Sequence, residues 1–175
     1  TMGQVLTSNG NGTMAWANQS TSTPVASGYG NWGDCSTNQN ISDYNPVADP
    51  DGKTGDGFGE ASAIDGLYAV VASRSDDVGA NVNQGSVSVY QFDGIRWNFF
   101  QKLTDPAGEA NDNFGAAVAI SGNTIVVGAP NDDVGVNADQ GTAVVFRYDG
   151  ATWNYYQKIG QVIGFPNDYF GSSVA

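Results

Sequence analysis

Two polar loops carry the residue types that bind hard cations. One holds Asp76, Asp77, Gly79, Asn81 and Asn83, and the other holds Asp132, Asp133, Gly135, Asn137 and Asp139. Oxygen donors on alternate positions around a Gly bend suit an ion such as Ca²⁺. The same residue types also build solvated turns, in which Asp and Asn side chains bond their own backbone. No bidentate Glu follows as in an EF-hand, so both readings stand: calcium held by Asp76, Asp77, Asn81 and Asn83 and by Asp132, Asp133, Asn137 and Asp139, or two self-bonded turns. A further stretch, "DPDGKTGDG" with Asp49, Asp51 and Asp56, resembles the start of a calcium loop. Its counterpart "DPAGEANDN" keeps Asp105 and Asp112 but has Ala107 where a donor belongs, and we read both as linkers.

Other chemistries have thinner support. Trp97 and Trp153 precede Phe99-Phe100 and Tyr155-Tyr156. Such rings could stack on sugars, but at repeated positions they are expected to fill a core. The chain has no His, which removes the commonest general base and zinc ligand. Paired carboxylates could act as in glycosidases, but the Asp residues sit in repeated turns, and no enzyme is expected. With 6 basic and 18 acidic residues, the net charge of −12 argues against nucleic acid and anionic membranes as partners. No apolar run is long enough for membrane insertion as a helix. Cys35 is the single cysteine and cannot form an intrachain disulfide. The sequons at Asn11, Asn18 and Asn40 arise easily in an Asn/Ser/Thr-rich stretch.

The elements that must position these residues are repeated. "DGFGEASAIDGLYAVVASRSDDVG" from Asp56 returns as "DNFGAAVAISGNTIVVGAPNDDVG" from Asp112, and "DYFGSSVA" begins again at Asp168. Asp77, Gln84, Trp97 and Lys102 map to Asp133, Gln140, Trp153 and Lys158 at the same spacing, with no insertion. Turn signals cut each copy into four strands. The first copy gives 58–64, 68–72, 86–92 and 97–103. The second gives 114–120, 124–129, 142–148 and 153–159, with Asp-Gly marking the last hairpin.

Apolar runs such as "IVV" and "AVV" do not alternate, which means that both faces of the sheet are covered. Four-stranded antiparallel sheets covered on both faces and copied in tandem predict the blades of a β-propeller. The fold class is therefore all-β: two complete blades, about 56–110 and 111–166, and the first strand of a third at 167–175. Residues 47–175 form this part. Residues 1–46 form a Gly/Ser/Thr/Asn-rich arm with a hairpin of Val5 to Thr7 and Thr13 to Trp16. Tyr44 lies one period before Phe100, so 41–47 could be a degenerate fourth strand. Propellers close with about 4–8 blades, so a longer chain, or several copies, is expected to complete the ring.

The blades resemble FG-GAP repeats, the propeller unit of integrin α-subunits. The residues that carry this are Phe58-Gly59, Phe114-Gly115, Phe170-Gly171 and "VVGAP" at Val126 to Pro130, drifted to "VVASR" in the first copy. The second copy is similar to the bacterial branch of that family, and "GQVLTSNGNGTMAWA" is similar to segments of bacterial surface and phage tail-fibre proteins. The resemblance implies an extracellular or cell-surface, non-catalytic interaction scaffold: an adhesin, fibre or appendage component meeting a protein or glycan. Integrin-type blades carry calcium between their first two strands. Here that turn is "IDGL" or "SGNT" and is too short to wrap an ion. Two alternatives remain: a filament subunit that exchanges its arm or terminal strand with copies of itself, and a calcium-dependent, lectin-like module.

Overall fold

The computed structural model describes residues 4–8, 14–18 and 47–175. The chain divides into two compact units, Thr1–Ser42 and Asp43–Ala175. In the first, β1 (Gln4–Ser8) pairs antiparallel with β2 (Met14–Asn18), Gln4 opposite Asn18 and Ser8 opposite Met14. Cys35, the sequon residues Asn11 and Asn40, and residues 41–46 of the strand considered at 41–47 lie outside the described residues.

The second unit holds two four-stranded antiparallel sheets, with no helix among the described residues. The first is β3 (Phe58–Asp65), β4 (Tyr68–Ser73), β5 (Ser86–Phe92) and β6 (Trp97–Leu103), paired in that order. The second is β7 (Ala117–Ser121), β8 (Thr124–Ala129), β9 (Thr142–Tyr148) and β10 (Trp153–Ile159), in the same order. These are propeller blades. β-Branched residues suit the pleated strands, and Asp93 and Asp149 fix the last hairpins. Asp93 Oδ1 accepts from the Ile95 and Arg96 amides, and Asp149 Oδ1 from those of Ala151 and Thr152, at 2.8 Å in each case. These bonds hold both exposed carboxyls below their ordinary pKa. A bulge recurs in β6 and β10, where the register shifts beside Tyr90 and between Tyr155 and Gln157.

Cross-strand partners share a face, which explains the core. Val70 opposes Val89, and Ala72 opposes Val87, which opposes Leu103. In the second sheet Ile125 opposes Phe146 and Val127 opposes Val144. All nine join Phe114 and Trp153 in one buried cluster. Each large side chain removed from water is worth about 1.5–3 kcal/mol, so the cohesion between the sheets is mainly apolar.

Two expectations need correction. The second copy's first strand begins at Ala117, not at Phe114. Phe114 is completely buried, and its amide donates to the Gln84 carbonyl of the first copy rather than to β8. In the first copy Phe58 does pair with Ser73, but the register then slips before Ser62. Residues 167–175 likewise form turns and bends, and the counterpart of Ala117 there is residue 173. Tyr169 (φ 50°) and Gly171 (φ 89°) repeat the left-handed positions of Asn113 and Gly115.

Candidate functional site

The loops after β4 and β8 and the linkers after β6 and β10 meet at one end of the sheets. Asn81 donates from Nδ2 to Gln84 Oε1 and to the Gly108 carbonyl, both at 2.9 Å. Asn137 repeats this with Gln140 Oε1 at 2.8 Å and the Gly164 carbonyl at 3.0 Å. Gln84 Nε2 donates to the Asp105 carbonyl, and Gln140 Nε2 to that of Gln161. The backbone completes the joint: the Phe114 amide donates to the Gln84 carbonyl at 2.8 Å, and the Phe170 amide to the Gln140 carbonyl at 2.9 Å. A Cβ on Gly85 (φ 90°) would overlap the Phe114 carbonyl oxygen, so the close approach requires glycine there.

The eight residues considered for calcium fall within these joints. Asp76 Oδ2 accepts from Ser86 Oγ at 2.6 Å and pairs with Lys102 Nζ at 2.6 Å. Asp132 Oδ2 accepts from Thr142 Oγ1 and pairs with Lys158 Nζ. Asp77 Oδ1 accepts from the Asn83 amide at 2.9 Å, and Asp133 Oδ1 from the Asp139 amide at 2.8 Å. Asn83 Nδ2 donates to Asn111 Oδ1, and Asp139 Oδ1 accepts from Asn131. Asn83 (φ 52°) and Asp139 (φ 52°) are left-handed, as self-bonded turns of this kind need. Among the described residues no group of three or more His, Cys, Asp or Glu converges as metal ligands would.

The acidic linkers also close on themselves. Asp56, Asp112 and Asp168 each accept the amide three residues back, from Lys53, Glu109 and Phe165, at 2.6, 2.6 and 2.7 Å. Lys102 reaches Asp51 at 2.6 Å and Asp49 at 3.4 Å, and Lys158 reaches Asp105 at 2.8 Å. Burial alone would lower both lysines, but the bonds to carboxylates outweigh it and raise them. The Lys102 bond lowers Asp51, whereas burial and the Asp51 hydrogen bond raise Asp49. Burial pushes Asp112 up to about 6, helped by Asp132 and Asp105 and opposed by its Glu109 bond and by Lys158.

The aromatic residues divide. Trp153 is buried, with Tyr68 edge-on at 5.5 Å and Tyr148 tilted at 5.2 Å, and Phe100 joins through Tyr68 at 5.7 Å. These rings are core. Tyr155 and Tyr156 face solvent, with Arg147 stacked 3.7 Å over Tyr156.

Gln101 was missed by sequence reasoning. Its amide grips the Trp153 backbone twice, donating to the carbonyl at 2.7 Å and accepting the amide at 2.8 Å. Its counterpart Gln157 is exposed. The outer face of the first sheet carries smaller residues than the matching face of the second: Ala69 for Ile125, Val71 for Val127, Ser88 for Val144. A 310 Å³ apolar hollow lies there, lined by Val47, Ala69, Val71 and Trp97 among others. The signal that could have found Gln101 is a glutamine kept at the spacing of Gln157 inside β6 and β10, and for Gln84 and Gln140 it is the same spacing in the loops.

The family model for the FG-GAP repeat matches residues 46–90 and 97–146, together more than half of the chain. No match was found among curated proteins.

Proposed function

Because the chain belongs to the FG-GAP repeat family, whose blades build propeller-type interaction modules, we propose that it is an extracellular, non-catalytic interaction scaffold of the adhesin or surface-appendage kind. One observation carries this reading. The polar residues shared by the two copies make the same joints at the same positions, as Asn81 with Gly108 and Asn137 with Gly164 do. Shared polar residues therefore build a stiff frame, and recognition falls to loops and linkers, which can vary without disturbing it. The test presents the purified chain to cell surfaces and to a glycan array, with calcium and with EDTA. Surface binding that survives EDTA is the expected result. EDTA-sensitive glycan binding would favour the lectin-like alternative, and a well-folded chain that binds nothing would overturn the proposal.

A second reading is that further blades, from a longer chain or from copies of this one, stack on the second sheet. It is favoured by Ile159, which is 37% exposed where its counterpart Leu103 is 3% exposed. Sedimentation velocity distinguishes the cases for this chain alone. Concentration-dependent assembly abolished by Ile159→Glu would support copies, and a monomer at all concentrations would remove them.

A further inference from the structure

The two linkers share one turn but not one chemistry. Pro106, Ala107 and Glu109 in the first become Val162, Ile163 and Phe165 in the second, and Ala80 in the first loop becomes Val136. The first set is exposed although the second sheet is docked beside it. A blade stacked on the second sheet in the same way would therefore leave Val136, Val162, Ile163 and Phe165 in water. They are now 97%, 100%, 82% and 67% exposed. The frame does not ask for large apolar side chains there, and contiguous exposed apolar surface marks interaction sites.

The backbone carries a second sign. Position 57/113/169 is left-handed in all three copies, at φ 71°, 54° and 50°. The first two copies use Gly57 and Asn113, which tolerate that conformation. The third places a half-exposed Tyr169 there, and strain of this kind clusters at binding sites. The segments that carry them are joined: Asn137 bonds the Gly164 carbonyl between Ile163 and Phe165, and the Tyr169 amide donates to the Asp139 carbonyl at 3.1 Å.

We infer that Val136, Val162, Ile163, Phe165 and Tyr169 form a docking surface for a partner segment that is apolar or aromatic at its centre and flanked by Lys or Arg. The charge identifies the occupant. Exposed Asp133 and Asp168 and half-buried Asp139 rim the patch, and the chain carries a net charge of −12. A second copy would bring like charges together, whereas a basic rim on the partner is complementary. This inference rests on the interaction-module reading and adds the site and the partner chemistry.

The test selects displayed peptides on the wild-type chain and measures each on a variant with Val162→Pro, Ile163→Ala and Phe165→Glu. That variant carries what the first linker already holds in the same turn, so folding is retained. Enriched peptides with Lys or Arg around an apolar or aromatic centre are expected to lose about tenfold or more in affinity on the variant, the scale of a lost anchor. Binding by charge alone would instead tighten, because Phe165→Glu adds a carboxylate. Tyr169→Asn should weaken the same peptides while the melting temperature stays level or rises. Peptides that bind both proteins equally would overturn the patch and leave the module reading intact. No enrichment, or enrichment of acidic peptides, would overturn it as well. Self-association lost in the variant would assign the surface to a second copy instead.

Discussion

Gln101 and Gln157 stand one repeat apart at the same place in their sheets. Gln101 holds the Trp153 backbone with two hydrogen bonds, and Gln157 faces solvent. Leu103 and Ile159 differ in the same sense, and so do Asp112, which is buried, and Asp168, which is exposed. The residue types are equal or close, and what differs is whether a neighbouring blade covers them. A repeated position thus carries a capacity for packing that only a neighbour turns into stability, as expected when each unit rests on nearest-neighbour interfaces. Paired substitutions at matching positions measure that neighbour directly.

The largest difference is expected at the glycines of the joints. Gly85→Ala drives a methyl group into the Phe114 carbonyl and strains a left-handed backbone, at a cost of about 3 kcal/mol or more. Gly141→Ala meets Phe170 in the same way, but among the described residues no sheet is packed behind the turn it displaces. Urea unfolding should show less than half the loss, and equal losses would break the comparison. Removing the cation comes next. Lys158→Met leaves the nearly buried carboxylates of Asp105 and Asp132 without their counter-charge, which should cost roughly 2–3 kcal/mol near neutral pH by chemical denaturation.

Asp112 supplies a pH signature. Its folded pKa, about 6, lies above the ordinary 3.8, so the folded state binds this proton more tightly than the unfolded chain does. Its favourable contribution is complete below about 3.8 and is lost as pH rises through about 6. Asp112→Asn removes the titration, and its stability relative to wild type should rise by on the order of 2 kcal/mol between pH 4 and pH 7. Parallel pH curves for the two proteins would refute the assignment. The smallest effect contrasts the glutamines. Gln101→Ala should cost about 1–2 kcal/mol through two lost hydrogen bonds, and Gln157→Ala less than about 0.5 kcal/mol, both read from thermal melts.

Much of the fold was legible because its causes are local. Asp-Gly turns, β-branched runs and the fixed spacing placed seven of the eight blade strands to within a residue at either end. The eighth, at Ala117, was misplaced because Phe114 reads as one more strand residue, while its conformation answers to Gln84 and Gly85 on the preceding blade. The loop residues Asp76, Asn81, Asp132 and Asn137 were legible as a repeated polar set. Their partners were not, since Lys102 and Gly108 lie 26 and 27 positions away from Asp76 and Asn81.

The sequence by itself determined the strand pattern, the repeat and the family, since periodicity and turn chemistry act over a few residues. Tertiary structure alone decided which polar groups become joints and which apolar ones stay in water. Those outcomes depend on where the adjacent blade lies, and that position is set by the packing of two sheets rather than by any stretch of chain.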